Sequence, residues 1–580
     1  MAKMSGAQQL VRTLEDLGVE YLFGYPGGAV IDIYDALHHS EKIKHVLARH
    51  EQGACHMADG YARATGKTGF CLVTSGPGAT NAVTAIATAY ADSVPMVVIT
   101  GQVATNLIGT DAFQEVDTIG ITRPIVKHSF LCKTPQDIPK YVRQAAYIAS
   151  TGKPGPVVVD IPKNCVGFAS NGSVFPPLSE DALKMVTYNP TTRGHKGQIR
   201  RAVKQLSRAM RPVILAGGGA IVGNATDNLM KVAERFDLPV ACTLMGLGAI
   251  PKSSRHFLGM VGMHGTWAAN NAMAQSDLIF CCGARFDDRV TNNVKKFCPD
   301  ARIIHIDIDP SAISKIIEAD LPIVGDASTI LNQILQMADE IGVTAEDNER
   351  LKPWWDTINS LRQLNCLQYS AQPDICHPAQ VIEAISRATR DKDVIIATDV
   401  GQHQMFTALY YDFERPRTFL TSGGLGTMGY GFPAAVGAKI ARPEAEVILI
   451  TGDGSFQMNI QELSTCLEYN VPVKIFIVDN HTLGMVRQWQ TMFYQERITQ
   501  TNLNFNPDFV KVAEAYGHTG ILVGKPEELE PAIEKALSIK DRLVVVDIMC
   551  QTTANVLPMQ KTAGAMDEMV LPNNEDSAAK

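Results

Sequence analysis

Short, almost continuous apolar runs punctuate the chain, among them Val97-Val98-Ile99, Pro156-Val157-Val158-Val159, Leu278-Ile279-Phe280 and Val447-Ile448-Leu449-Ile450. Each meets Gly, Asp or Pro well before the ~20 residues of a membrane-spanning helix, and each reads as a buried strand. Helical stretches separate the runs, so strand and helix alternate along nearly the whole length. That alternation predicts an α/β fold of doubly wound, mainly parallel sheets.

The pattern breaks twice. Past Pro162 the text turns rich in Gly, Ser, Pro and Thr, which predicts a linker over 167–197. A second connector, charged around Trp354-Trp355 and followed by Gln372-Pro373-Asp374, is expected over 344–378. Three domains result, 1–166, 198–343 and 379–560, as befits 580 residues at roughly 150 per domain. A tail over 561–580 ends in polar text, Asn573 to Ser577, expected to be mobile. The outer domains share a coarse likeness: each pairs a strand with a Gly-rich turn and a small-residue helix, at Thr74-Ser75-Gly76-Pro77-Gly78 and at Gly423 to Gly431.

Composition narrows the function classes. With 46% hydrophobic and only 19% charged residues, large-scale disorder is excluded and extensive cores or subunit interfaces are expected. A formal net charge of -8 argues against nucleic acid as a partner and leaves small molecules. The 12 Cys include no Cys-X-X-Cys pair, so they are expected as reduced core thiols rather than zinc ligands or disulfides. Met1 to Ala7 run into a helical pattern without an apolar signal core or an Arg-rich leader, from which a cytoplasmic location is expected.

The most specific chemistry lies in Ile448-Leu449-Ile450-Thr451-Gly452-Asp453-Gly454-Ser455, a strand that ends in Gly-Asp-Gly and enters a helix. Glycines let a ligand approach the backbone, and the helix start offers N–H groups to an anion. A second strand, Val473 to Val478, leads into Asp479-Asn480-His481-Thr482 at the carboxyl edge of the same sheet. The Asp453 carboxylate, the Asn480 amide oxygen and the Thr482 carbonyl would give Mg²⁺ three oxygens, with two diphosphate oxygens and a water completing its octahedron. Gly-Asp-Gly alone is more often an ordinary turn; the pairing with a strand-ending Asn shifts the balance.

That pairing resembles the signature of the thiamine diphosphate-dependent decarboxylases and carboligases. Their usual Asn-Asn is Asp479-Asn480 here, and the second position, the family's metal ligand, is kept. The resemblance implies that Glu51, in Arg49-His50-Glu51-Gln52, hydrogen-bonds the cofactor's pyrimidine and is catalytic; taken alone, such a Glu is more often a solvated carboxylate. Val400, Gly401, Gln402 and His403 match a second diphosphate-holding turn, although an isolated His is more often structural. The Gly-rich Ser422 to Gly431 suits a loop packed on a flat ligand, with the Gly426 carbonyl on the pyrimidine amine and Met428 wedged between the rings; a plain core Met is the alternative. Gly452, Gly454, Ser455, Gly484 and Met485 complete the implied pocket.

Longer segments narrow the resemblance further. Phe23-Gly24-Tyr25-Pro26-Gly27-Gly28-Ala29, Gly109 to Glu115, Gly262 to Thr266, Gly283 to Arg289 and Gly484 to Gln490 are similar to the catalytic large subunits of biosynthetic, bacterial-type acetohydroxyacid (acetolactate) synthases, over essentially the whole chain. The implied reaction decarboxylates pyruvate and transfers the two-carbon unit to a second pyruvate or to 2-ketobutyrate, on the route to valine, leucine and isoleucine. By the same resemblance Gln114 lies near the reacting carbon, and Phe113 and Lys163 line the access path. Gly28, Met485 and Val486 face substrate, Arg289 pairs with the acceptor's carboxylate, and Trp489 favours the larger acceptor; a helix-face core Trp is the plainer reading of the last.

For the central domain the residues alone say little. Gly217-Gly218-Gly219-Ala220-Ile221-Val222-Gly223 does not fit G-X-G-X-X-G and by itself supports no dinucleotide. The resemblance implies a non-redox FAD held by Gly217, Gly218 and Gly219, by Thr243 and Leu244, and by Met263, His264, Gly265 and Thr266. Gly283, Arg285 and Asp287, then Asp307 and Asp326, complete that set, with Lys153 where relatives commonly carry Arg. It also implies a homodimer or higher oligomer with active sites between chains, and a small regulatory subunit. Competing readings are a pyruvate oxidase-like flavoenzyme, the FAD-free catabolic acetolactate synthase, and an inactive relative that only binds thiamine diphosphate.

Overall fold

The apolar runs become strands of three six-stranded sheets among the described residues, 3–167, 173–176, 185, 187–344 and 346–572, of a computed structural model. All neighbouring strands within these sheets are parallel. The first contains β1 (Tyr21–Tyr25), β2 (Lys44–Leu47), β3 (Gly69–Val73), β4 (Met96–Gln102), β5 (His128–Leu131) and β6 (Pro156–Pro162), in the order β2-β1-β3-β4-β6-β5. The central sheet contains β7 (Pro212–Ala216), β8 (Val240–Cys242), β9 (Phe257–Met260), β10 (Leu278–Cys282), β11 (Arg302–Asp307) and β12 (Leu321–Val324), ordered β9-β8-β7-β10-β11-β12. The third contains β13 (Val394–Thr398), β14 (Phe419–Leu420), β15 (Glu446–Gly452), β16 (Lys474–Asp479), β17 (Thr519–Val523) and β18 (Val544–Met549), ordered β14-β13-β15-β16-β18-β17. The outer sheets therefore share one topology, and the central sheet has another.

The runs lack alternation because they are wet on neither side. β4 and β6 are buried at every position, as parallel strands covered on both faces must be. In β15 successive residues serve different cores. Val447 and Leu449 join a cluster shared with the first domain, while Ile448 and Ile450 join one shared with the central domain. The third sheet is thus the layer on which the other two domains rest.

Four helices place the chemistry: α1 (Glu51–Thr65), α2 (Gln402–Tyr410), α3 (Gly431–Ala441) and α4 (Gly484–Phe493). α1 crosses α3 with backbones in contact. A Cβ at Gly60 would lie 2.0 Å from the Ala434 carbonyl oxygen, and one at Gly437 would lie 1.9 Å from that of Met57.

Much of the expected first linker, 168–172, 177–184 and 186, lies outside the described residues, as do Ala345 and the polar end, 573–580. Helix Lys196–Leu206 begins just before the expected central boundary. The second connector is less separate than its text implies, since Trp354 is buried in a central-domain core. Within the expected tail, Met569–Val570 pairs antiparallel with Met559–Gln560. All 12 cysteines are free and buried. Among the described residues no helix is long and apolar enough to cross a membrane.

Candidate active site

The order of the third sheet reverses between β13 and β15, and such a reversal opens a crevice at the carboxyl ends of the strands. β13 leads through Asp399, Val400 and Gly401 into α2, and β15 leads directly into a short helix that begins at Asp453. The buried His403 ring lies against both turns: a Cβ at Gly401 would come 3.0 Å from it and one at Gly452 2.9 Å. Burial pushes His403 down to about 3, and its Nε2 has no hydrogen-bond partner. A buried nitrogen of this kind, on a cavity wall, is a place for a ligand's oxygen.

β16 delivers the next two oxygen-bearing side chains. Carboxylate oxygens of Asp453 and Asp479 and a nitrogen of His481 all lie within 4.8 Å of one another. Burial, with Asp479 alongside, pushes Asp453 upward, and a bound cation is what would relieve such a pair. Asn506 Nδ2 donates to Asp453 at 2.7 Å and to Asp479 at 3.4 Å. Asn480 accepts from the Thr482 N–H at 3.2 Å and donates to Gln402 at 3.3 Å. Asp479 and His481 thus join the Asp453, Asn480 and Thr482 read from sequence.

The Gly-rich loop is held from within the third domain and from the first. Asp399 accepts from the Gly429 and Gly431 amides, each at 2.9 Å, and from the Thr451 hydroxyl at 2.8 Å. Asp92 of the first domain accepts from Gly423 and Gly424 at 3.1 and 2.7 Å. Arg63 ties Asp92 to Asp59, at 2.9 and 2.6 Å, and the Tyr430 hydroxyl donates to Asp59 at 2.8 Å. Sequence reading missed Asp399, Asp92 and Arg63; only Asp399, at a strand end beside Val400-Gly401, carried a local signal.

One cavity of about 1450 Å³ runs from this edge into the central domain. Every third-domain residue expected at cofactor or metal lines it, and so do Arg289, Val486 and Trp489. Of the residues expected at FAD, all but Gly217, Gly265 and Thr266 line it. Those three pack behind the wall. A Cβ at Gly217 would be 2.3 Å from the Gly283 carbonyl oxygen, one at Gly265 would be 2.5 Å from Asn270, and Thr266 caps helix Trp267–Ala274. The central order also reverses, between β7 and β10, placing Gly218, Gly219 and Gly283 at the crevice. Lys153 reaches the same cavity paired with Asp309 at 3.2 Å.

The first-domain candidates assemble elsewhere. Gly28 follows β1, Glu51 follows β2, Phe113 and Gln114 lie in the loop after β4, and Lys163 follows β6, so all sit at the carboxyl edge of the first sheet. Glu51 opens α1, 9% exposed, and accepts from Asn81 Nδ2 at 2.9 Å. Phe113 is 88% exposed, and Gln114 takes a left-handed φ of 59°. None of these five lines the cavity.

Comparison with known proteins supplies the family. The chain matches the thiamine pyrophosphate enzyme family in three parts: the N-terminal TPP binding domain over residues 4–121, the central domain over 199–334 and the C-terminal TPP binding domain over 399–548. It is 54% identical over 576 residues, 99% of this chain and 100% of the relative, to the acetolactate synthase large subunit of Haemophilus influenzae. It is 53% identical to the acetolactate synthase isozyme 3 large subunit of Escherichia coli K12, over 99% of this chain and 100% of the relative. The chain belongs to the acetolactate synthase large-subunit family. Likeness extends to the probable acetolactate synthase large subunit of Methanococcus aeolicus, 48% identical over 92% of this chain and 90% of the relative. Membership makes this a thiamine diphosphate-dependent carboligase of branched-chain amino acid biosynthesis.

Proposed function

We propose that the chain is the catalytic subunit of an acetohydroxyacid synthase that decarboxylates pyruvate and joins the two-carbon unit to pyruvate, giving 2-acetolactate, or to 2-ketobutyrate, giving 2-aceto-2-hydroxybutyrate. The observation that carries this reading is the third-sheet crevice, where Asp453 and His403, whose Nε2 has no partner, line a glycine-rich floor and Asp479 lies beside Asp453. Thiamine diphosphate, when bound, supplies the electron sink for the decarboxylated fragment. Asp453, Asn480 and Thr482 would hold Mg²⁺, with Asp479 adding charge beside it. His403 and the amides around Gly401 and Ser455 would hold diphosphate oxygens. Glu51 would offer its carboxyl group to the pyrimidine, and Asn81, which donates to that carboxyl, orients it. Gly426 and Met428 place the rings. Arg289 offers a planar fork to the acceptor's carboxylate, while Gln114, Phe113, Lys163 and Gly28 line the approach.

FAD is the second ligand in this reading, as a structural rather than a redox group. The central strand order is the one that binds dinucleotides at its reversal, and glycines stand there despite the missing G-X-G-X-X-G. A homodimer belongs to this reading, supported by the absence of Glu51 from the cavity that Asp453 lines: one chain's first domain would cover the other's third. The relatives are named large subunits, so a small regulatory subunit is part of the proposal.

The test incubates purified chain with pyruvate, thiamine diphosphate and Mg²⁺, with and without FAD. Acetolactate is expected only with FAD, and the flavin spectrum should stay that of the oxidised form. Acetate or acetyl phosphate with bleached flavin would mean an oxidase; no product, even with a small subunit added, would remove the enzymatic reading.

A further inference from the structure

We propose that Glu462 is a positioning residue for Glu51: its carboxylate caps the backbone that opens α1 and so aims the Glu51 side chain. The inference rests on the role given to Glu51 above. Glu462 belongs to the third domain, just ahead of helix Leu463–Glu468, and is fully buried. Its two oxygens accept from the Arg49 N–H at 3.0 and 3.1 Å, and the Thr465 hydroxyl donates to it at 2.7 Å. A Cβ at Gly53 would lie 2.5 Å from Glu462 Oε1, so the first turn of α1 rests directly on the carboxylate.

The same short segment grips the preceding strand end. Tyr469 accepts from the Leu47 N–H at 2.9 Å, and the Arg49 guanidinium, which also donates to the Leu47 carbonyl at 3.0 Å, pairs with Glu468 at 2.5 Å. Residues 462–469 thus clamp the β2–α1 turn on both sides of Glu51. A negative group at a helix start also favours that helix electrostatically. Burial pushes Glu462 up to about 7, while the Thr465 hydroxyl and the Arg49 and His50 amides oppose that rise by bonding its charged form.

Glu51's task can be read without turnover, as exchange of the cofactor's C2 proton for deuterium, followed by NMR in protein loaded with thiamine diphosphate and Mg²⁺. Glu462→Gln keeps the shape but halves the acceptor and removes the charge. It is expected to slow exchange about 10- to 100-fold, the scale of an ångström-sized misplacement, with cofactor affinity and Tm close to wild type. Glu51→Gln, measured in parallel, should slow it ~10²–10⁴-fold. Wild-type exchange in Glu462→Gln with slow exchange in Glu51→Gln would overturn the positioning role alone. Wild-type exchange in both would overturn the reading of Glu51 and this inference with it. Should Glu462→Gln fail to fold, Thr465→Val frees the carboxylate while leaving its charge; a several-fold slowing supports the role, and an unchanged rate overturns it.

Discussion

Trp489 stands at the cavity wall on α4, 36% exposed, with its ring edge-on to Phe493 at 5.5 Å. A half-open indole has surface to offer a ligand, which a core Trp does not. Trp489→Leu is therefore expected to lower the preference for 2-ketobutyrate over pyruvate by about 10- to 100-fold, the worth of one methylene contact, with acetolactate formation largely kept; competition between the two acceptors measures it. A second residue makes a pH prediction. His56, on α1, is fully buried against the Tyr430 ring at 5.2 Å, and burial, with Arg63 nearby, pushes it down to about 3 from 6.5. A histidine depressed in the fold contributes stability that is complete above its unfolded value and is lost as pH falls below it. Between about pH 7 and about pH 5 the Tm of His56→Phe, which keeps the ring contact, should fall less than that of wild type. At this scale the sequence showed residues that announce themselves in a local motif, Asp453 and Glu51 among them. Asp92 and Glu462 stayed hidden because their partners, Gly424 and Arg49, are hundreds of positions away, and an isolated carboxylate has no pattern.

The α1–α3 crossing is where two elements decide the geometry of a third. Gly60 and Gly437 let the backbones touch, and the Arg63, Asp59 and Tyr430 network locks the pair beside the Gly-rich loop. Because Gly437 faces a backbone carbonyl, which cannot swing away, Gly437→Ala must push the helices apart. The expected loss is about 1–3 kcal/mol, read by thermal unfolding, and activity should fall further than stability because Glu51 rides on the helix that moves. Elements of this kind were legible where burial on both faces left a plain text, as in β4, β6 and β15. The central domain was legible only in part. Its glycines miss the spacing of a dinucleotide fingerprint, while its strand order, set by which strands neighbour which, is the dinucleotide-binding one. Strand order is a tertiary property that no local run of residues reports.

For the whole molecule, the dimer proposed above starts from one observation: Glu51 does not line the cavity that Asp453 lines. The cavity has the third domain's cofactor and metal candidates and most of the central domain's, but neither Glu51 nor Gln114, which lie on the first sheet's carboxyl edge. Two copies, related by a twofold axis, would pair each edge with the other copy's crevice and make two equal sites. Complementation separates this arrangement from a site built within one chain. Glu51→Gln and Asp453→Ala should each be nearly inactive alone. A mixed dimer, however, has one site carrying both lesions and one carrying neither, because the intact Glu51 of one chain meets the intact Asp453 of the other. Random co-assembly of equal amounts gives half mixed dimers, each with one working site of two, so activity should return to about a quarter of wild type. If each site were assembled within a single chain, every site in the mixture would carry one lesion and no activity would return. The return therefore reports which chain supplies which half of the chemistry, and dilution that dissociates the dimer should abolish it together with wild-type turnover.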